Sequence, residues 1–78
     1  MITAYTMVDT AAGTSKSVCE AARTADGVVE AHVIAGDFDV LIELEGDSPH
    51  DILRVITSQI RTLDGVGTTR TYVSLDDR

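Results

Sequence analysis

The sequence is short of cysteine, lysine and aromatic residues. Its 78 residues include one cysteine, one lysine, one phenylalanine, two tyrosines and no tryptophan. A single cysteine cannot form a disulfide within the chain, so nothing indicates an oxidising compartment. The N-terminal residues lack the basic and apolar regions of a signal peptide, and no apolar run approaches the ~20 residues of a membrane-spanning helix. We therefore expect a cytoplasmic protein that makes no membrane contact.

Positive charge is also scarce. Thirteen Asp and Glu residues face six Lys and Arg residues, which gives a formal net charge of −7 at pH 7. Such a chain repels a phosphate backbone, so we expect no direct binding to nucleic acid. The shortage of lysine and the abundance of Asp and Thr also fit adaptation to high salt, where the repulsion between carboxylates is screened.

The hydrophobic pattern predicts one domain, residues 1–78, with the element order βαββαβ and a short polar tail at 76–78. Strands are expected at 2–10, 28–35, 38–45 and 66–75, where β-branched and aromatic residues are frequent. Helices are expected to begin near Thr14 and at Ser48. The segment 24–28 recurs as 62–66, each a Thr-x-Asp-Gly-Val. Two related β-α-β units predict a ferredoxin-like α+β fold, a four-stranded antiparallel sheet with both helices on one face.

The second and third strands predict what the two sheet faces carry. A two-residue type II′ turn at Gly36-Asp37 pairs apolar residues on one face, which must lie under the helices. These pairs are Ala35 with Phe38, Val33 with Val40, Ala31 with Ile42, and Val29 with Leu44. The same register fills the opposite face with the pairs Ile34 with Asp39, His32 with Leu41, and Glu30 with Glu43.

That opposite face is both apolar and charged, which a solvated surface does not explain. Two glutamates directly opposite each other also destabilise a sheet unless something compensates. We therefore predict that this face packs on another subunit, with a basic group such as Arg70 near the glutamates. The predicted dimer interface comprises His32, Leu41, Glu30, Glu43, Arg70 and Tyr72.

Catalytic and metal chemistry have little support. Cys19 lies on the apolar stripe of the first helix, where a buried structural thiol is expected. Neither His32 nor His50 is placed beside a nucleophile. The Asp37-Phe38-Asp39 segment resembles the start of a calcium loop, but the apolar run after it supplies no further oxygen ligands. We expect a non-enzyme with no cofactor and no metal.

The Gly36-Asp37-Phe38-Asp39 turn has two interpretations. It is a good hairpin, for which Gly36 and Asp37 suffice. It also places two carboxylates close to free backbone N–H groups, an arrangement that can hold the ammonium and carboxylate of a free amino acid. The residues alone leave both interpretations open.

Several segments together resemble a known family. Ala4-Tyr5 opens a strand, a helix ends in Gly27-Val28, Glu30-Ala31-His32 precedes the Gly-Asp-aromatic-Asp turn, and Gly65-Val66 leads into a Thr-rich strand. This pattern is similar to the RAM domain, the effector-binding half of Lrp/AsnC transcriptional regulators. The resemblance implies sheet-mediated dimers, rings that are commonly tetramers of dimers (octamers), and amino acids bound between dimers near the turn. It implicates Gly36, Asp37 and Asp39, with Ile34 and Phe38 as walls, and Thr69 and Thr71 of the last strand.

Full-length members of that family carry an N-terminal helix-turn-helix, whereas this chain starts at the first strand. We expect a stand-alone form that senses an effector and alters transcription indirectly, or that co-assembles with full-length Lrp/AsnC regulators. Three alternatives remain. The chain is a structural assembly partner without its own effector, an ACT-like sensor with a different sheet arrangement, or a small dimeric α+β barrel enzyme. The enzyme would need a deep, enclosed polar residue, and His32 is the one candidate.

Overall fold

The computed structural model describes residues 1–76, so residues 77 and 78 of the predicted polar tail lie outside it. The elements are β1 (Ile2–Thr10), α1 (Ser15–Ala22), β2 (Val28–Val33), β3 (Val40–Gly46), α2 (Pro49–Val55) with a π-helical turn (Ile56–Ile60), and β4 (Val66–Val73). The sheet is antiparallel, with strand order β2-β3-β1-β4. The predicted ferredoxin-like fold is therefore confirmed.

The core lies between the helices and one face of the sheet. Burial of each of its larger apolar side chains stabilises the fold by roughly 1.5–3 kcal/mol. Thr6 is the buried polar side chain of this core, and its hydroxyl is 3.0 Å from that of Thr71. The predicted burial of Cys19 is confirmed, since the residue is 2% exposed. The helices contribute Val18, Cys19, Ala22, Ile52, Ile56 and Ile60, and the sheet contributes Ala4, Val8, Ala31, Val40, Ile42 and Leu44.

The second helix begins as its sequence predicts. The Ser48 hydroxyl accepts from the backbone N–H of Asp51 at 3.2 Å, and Pro49 occupies the first turn, where no N–H is needed. The first helix differs. Thr14 precedes it, but its hydroxyl donates to the carbonyl of Ala11 at 2.7 Å and does not cap the helix.

The sequence repeat is also a structural repeat. Gly27 and Gly65 have φ angles of +79° and +96°, values that only glycine adopts without strain. The valine after each glycine donates its N–H to the residue three positions earlier. These bonds are Val28 to Ala25 at 3.3 Å and Val66 to Leu63 at 3.2 Å. Each helix therefore enters its following strand by the same turn.

The predicted two-residue turn is wrong. The second strand ends at Val33 and the third begins at Val40, with residues 34–39 forming a wider loop closed by a 2.8 Å bond from Ile34 N–H to the Asp39 carbonyl. The cause is a contact with a third strand. Asp39 donates its own N–H to Val8 of β1 at 2.9 Å, which draws the end of the loop toward β1.

The predicted pairing of Val29 with Leu44 is also wrong, since Val28 occupies that position. Gly27 accepts from the N–H of Glu45 at 2.8 Å, which fixes the start of β2 one residue out of the predicted register. The register then shifts between Val28 and Glu30, as in a β-bulge. Beyond it the predicted pairs of Ala31 with Ile42 and Val33 with Val40 are confirmed. The last strand ends at Val73, two residues before its predicted end.

A π-helical turn follows α2, which the sequence does not predict. Arg61 donates its N–H to the carbonyl of Ile56, five residues earlier, at 2.8 Å. Gln59 of this turn makes two bonds to Asp26. Its Oε1 accepts from the Asp26 N–H at 3.0 Å, and its Nε2 donates to the Asp26 carboxylate at 3.1 Å. The side chain thereby ties the second β-α-β unit to the α1–β2 turn of the first.

Replacing Gly27 with alanine should destabilise the fold strongly. A Cβ at this position would lie 2.6 Å from the backbone oxygen of Glu45, in addition to the strain of the positive φ. Gly13 is the matched control, since its φ is +80° but nothing lies within 4 Å of its Cβ position. We expect a loss of about 3 kcal/mol for Gly27→Ala and about 1 kcal/mol for Gly13→Ala in urea unfolding at one protein concentration. Equal losses would show that the close approach to Glu45 is unimportant.

Candidate effector site and sheet interface

The predicted effector turn lies at one end of the sheet. In the loop 34–39, Gly36 and Asp37 are exposed, whereas Ile34, Phe38 and Asp39 are half-buried. The loop therefore presents the Asp37 carboxylate to solvent and keeps the ring of Phe38 partly covered. This is the arrangement expected of an apolar wall beside an accessible charged group.

Asp39 already has protein partners. Its Oδ2 accepts from the backbone N–H of Thr10 at 2.7 Å and from the Thr10 hydroxyl at 3.3 Å. That hydroxyl also lies 3.2 Å from the hydroxyl of Ser15, at the start of α1. One carboxylate oxygen of Asp39 is therefore committed to joining the loop, the end of β1 and the start of α1. Thr10 is the site neighbour that the sequence does not reveal, because the contact spans 29 positions.

Thr69 and Thr71 of β4 lie on the helix side of the sheet. Thr69 is opposite the fully buried Val8, and Thr71 is opposite Thr6, to which its hydroxyl is bonded. Val8 also accepts from Asp39, so Thr69 and the loop both adjoin this residue. Thr71 lies two residues farther along β4. Thr69 therefore lies near loop 34–39, whereas the hydroxyl of Thr71 is bonded to that of Thr6, farther from the loop.

Four cavities within residues 1–76 lie away from this loop. Their volumes are between 260 and 430 Å³, and residues 34–39 line none of them. The largest lies between α1 and the edge strand β2, where Arg23 donates to the Ala31 carbonyl at 2.9 Å. Its lining residues are Lys16, Cys19, Glu20, Arg23, His32 and Val33.

The sheet face away from the helices carries two rows of side chains across all four strands. We call these eight residues the open sheet face. Strand register aligns them in the order β2, β3, β1, β4. The first row is Glu30, Glu43, Tyr5 and Tyr72, and the second row is His32, Leu41, Met7 and Arg70. All eight are exposed or half-buried in the single chain.

The six residues predicted for the interface all lie on this face. His32 Nε2 is 2.8 Å from the Glu30 carboxylate, and both side chains are more than half exposed, at 57% and 59%. His32, the one candidate for catalysis, is therefore not enclosed in the single chain. Tyr5 and Met7 complete the face, and the sequence analysis missed them. The alternation of side chains along β1 could have identified them. Ala4, Thr6 and Val8 are buried on the helix side, so the residues between them lie on the opposite face.

The fold places the chain among ferredoxin-like α+β domains. Its sequence then identifies the family, because residues 3–77 match the family model of the Lrp/AsnC ligand binding domain. The chain belongs to the Lrp/AsnC family and corresponds to its ligand-binding, regulatory domain. The resemblance noted in the sequence is confirmed.

Similar proteins agree with this assignment. An HTH-type transcriptional regulator of Pyrococcus abyssi is 35% identical over 63 residues, which cover 81% of this chain and 42% of the relative. The crystal structure of a hypothetical protein from Pyrococcus horikoshii is 31% identical, with a TM-score of 0.88, and the match covers 99% of this chain and 93% of that one. A Neisseria meningitidis transcriptional regulator, solved as an L-Met complex, shares the fold alone. Its TM-score is 0.83 at 14% identity, over 97% of this chain and 51% of that one.

The chain spans about two-fifths of the length of the curated relatives it matches. The matched part is therefore one region of those regulators. Within residues 1–76, no helix has the length and apolar character needed to cross a membrane.

Replacing Asp39 with alanine should destabilise the domain even when no effector is present. The change removes the acceptor of the Thr10 N–H, and a hydrogen bond to a charged group is worth about 1.5–3 kcal/mol. Asp37→Ala is the control, since Asp37 is exposed and its loss should stay within about 0.5 kcal/mol. Chemical denaturation of both variants measures the difference. Equal stability of the two variants would contradict the structural role of Asp39.

Proposed function

We propose that this chain is a non-catalytic regulatory domain that self-associates through the open sheet face and binds an amino acid at loop 34–39. The observation that carries the proposal is the open sheet face. It combines apolar centre residues, Leu41 and Met7, with facing glutamates and tyrosines. A second copy would bury the apolar groups and supply partners for the charged ones.

The glutamates of this face need compensation. Glu30 and Glu43 are direct cross-strand partners, so their Cβ atoms lie about 5 Å apart. His32 bonds to Glu30 but not to Glu43, which has no ion pair within residues 1–76. Like charges at this spacing are destabilising unless something offsets them. Donors from a facing subunit would provide that offset.

The chemistry of loop 34–39 suits an amino acid. The exposed Asp37 carboxylate can pair with an ammonium group, and the exposed Gly36, whose Cβ position has nothing within 4 Å, leaves room for a carboxylate to approach the backbone. Ile34 and Phe38 are half-buried beside them and would contact an apolar side chain. The regulator from Neisseria meningitidis was solved as a complex with L-Met, which makes amino acids the first class of effector to test.

A site between dimers would let the effector control assembly. Loop 34–39 is exposed at its tip, at Gly36 and Asp37, and in this proposal a neighbouring dimer supplies the other walls of the site. An effector held between dimers binds one assembly state more tightly than another and shifts the population toward it. Co-assembly with DNA-binding regulators of the same family would carry that shift to transcription.

One observation favours a second function, that of an assembly partner without its own effector. One of the two carboxylates of the turn, that of Asp39, already accepts two hydrogen bonds from Thr10. If the Asp39 carboxylate stabilises the loop, fewer of its acceptor positions remain for a ligand. Under this alternative the open sheet face would still associate, but the loop would stay empty.

A thermal-shift panel of the twenty amino acids separates these two functions. An amino acid at a hundred times its dissociation constant stabilises the folded state by about 2.7 kcal/mol, which raises the melting temperature of a domain this small by roughly ten degrees. We expect a shift with one or a few amino acids, and a much smaller shift in Asp37→Ala, whose fold should be intact. If no amino acid shifts the melting temperature of the wild-type chain, the result would contradict effector binding and support the assembly-partner function.

Placing a glutamate at Leu41 tests the open sheet face. Leu41 is half-buried at the centre of that face, so Leu41→Glu would bury a third carboxylate beside Glu43. We expect the dimer dissociation constant to rise at least about a hundredfold. Leu53→Glu is the matched control, since Leu53 is 49% exposed on α2, on the helix side of the molecule. Sedimentation of both variants reads out the oligomeric state, and an intact Leu41→Glu dimer would refute this interface.

A further inference from the structure

We propose that Thr10, which lies outside loop 34–39, is a positioning residue of the effector site. It holds one oxygen of the Asp39 carboxylate, so that the other oxygen stays in a fixed place to accept from the ammonium group of an amino acid. This role rests on the proposed binding of an amino acid at the loop. It adds a residue that controls effector affinity without contacting the effector.

The tip of loop 34–39 depends on the two ends of the loop for its position. Within residues 1–76, no backbone–backbone hydrogen bond holds residues 35–38. Ile34 donates its N–H to the Asp39 carbonyl at 2.8 Å, and Asp39 donates its N–H to the Val8 carbonyl of β1 at 2.9 Å. The place of the exposed Asp37 therefore depends on how firmly Asp39 is held.

The two oxygens of the Asp39 carboxylate have different surroundings. Oδ2 accepts from the Thr10 N–H at 2.7 Å and from the Thr10 hydroxyl at 3.3 Å. Within residues 1–76, Oδ1 accepts no hydrogen bond, and no unpartnered side-chain oxygen of a half-buried residue is itself buried. Oδ1 is therefore accessible to solvent. A carboxylate with one oxygen fixed and the other accessible is already oriented to accept from a ligand.

Ser15 completes the hold on Asp39. The hydroxyls of Thr10 and Ser15 are 3.2 Å apart, and both residues are half-buried. A hydroxyl carries one proton and two acceptor lone pairs. Ser15 can donate its proton to the Thr10 oxygen, which leaves the Thr10 proton for Oδ2 of Asp39. The two hydroxyls thus form a short chain that ends on the carboxylate.

The turn between β1 and α1 is itself held by the second β-α-β unit. Ala11 donates its N–H to the Gly65 carbonyl at 2.8 Å, and the Thr14 hydroxyl donates to the Ala11 carbonyl at 2.7 Å. A Cβ at position 65 would lie 2.6 Å from the Thr14 hydroxyl oxygen, so the two turns are in close contact. Thr10 therefore ties the loop to a closely packed part of the fold.

The start of α1 lacks a side-chain cap in this arrangement. The Thr14 hydroxyl bonds to Ala11 and not to the helix, and the Ser15 hydroxyl lies beside that of Thr10. A Ser or Thr at a helix start more often accepts from the first N–H groups and stabilises the helix. Departures from such local rules are expected where a site must be held in place. Here the hydroxyls hold the turn and, through Thr10, the loop.

Thr10→Val separates positioning from stability. Valine keeps the backbone N–H, and with it the shorter bond to Asp39, but removes the hydroxyl. In a calorimetric titration with each of the twenty amino acids, we expect those that bind the wild type to bind Thr10→Val about tenfold more weakly. The melting temperature of the unliganded protein should fall by only a few degrees. Thr10→Ser restores the hydroxyl and should restore the affinity.

Hydrogen exchange of the Asp39 amide, followed by NMR, gives a readout that needs no effector. We expect faster exchange in Thr10→Val than in the wild type or Thr10→Ser, because the loop end is held less firmly. Gln59→Ala is the control for lost stability. Gln59 bonds to Asp26, which precedes β2, whereas the loop follows β2. This variant should lower the melting temperature and leave the affinity unchanged.

Two results would overturn the positioning role of Thr10. One is wild-type affinity and wild-type exchange of the Asp39 amide in Thr10→Val. The other is an equal loss of affinity in Gln59→Ala, which would show that lost stability alone weakens binding. If no amino acid binds the wild type, the proposed effector binding fails, and exchange of the Asp39 amide alone decides whether Thr10 positions the loop. The two failures are therefore distinguishable.

Discussion

The register of β1 between β3 and β4 is the constraint on which the rest of the structure depends. Pairing of Thr6 with Ile42 on one side and with Thr71 on the other sends Ala4, Thr6 and Val8 to the helix side of the sheet. The same pairing leaves Tyr5 and Met7 on the opposite side. Because the side-chain period of a strand is two, a slip of one residue would exchange the two faces. The core and the open sheet face thus have one common origin.

On the helix side of the sheet, this register brings the apolar side chains together into a small core. An isolated 78-residue chain buries only ~60–65% of the surface that it exposes when unfolded, so such a domain has little stability in reserve. Hydrogen bonds between distant segments are therefore important for its stability. Gln59 ties the π-helical turn to Asp26, and Asp39 ties the hairpin loop to Thr10. A second copy on the open sheet face would add burial that the single chain lacks.

Local patterns predict most of the fold. Alternation in the strands, the Ser48-Pro49 helix start and the repeated Asp-Gly-Val turn give the element order and the βαββαβ topology. The sequence does not predict the wider loop, the bulge after Val28 or the π-helical turn. Each is accompanied by a contact with a distant segment: Asp39 with Val8, Gly27 with Glu45, and Gln59 with Asp26.

The candidate site shows the same division between local and distant information. The exposed Gly36-Asp37 tip follows from its own residues, and so does the mixed character of the open sheet face. The engagement of Asp39 by Thr10 does not, because the two residues are far apart in the chain. The family assignment supplies the ligand-binding role, and the chemistry of the loop suggests the class of ligand. Tyr5 and Met7, missed from the sequence, complete the face that a partner would cover.

The oxidation rate of Met7 most directly tests whether a second copy covers the open sheet face. Met7 is half-buried at the centre of the open sheet face, and Met1 is 78% exposed, away from its centre. Peroxide oxidation followed by peptide mass spectrometry measures both methionines in one sample. If a second copy covers the face, Met7 reacts much more slowly in the wild type than in Leu41→Glu, whereas Met1 reacts equally in both. Equal Met7 rates in the two proteins, at every protein concentration, would contradict association through this face.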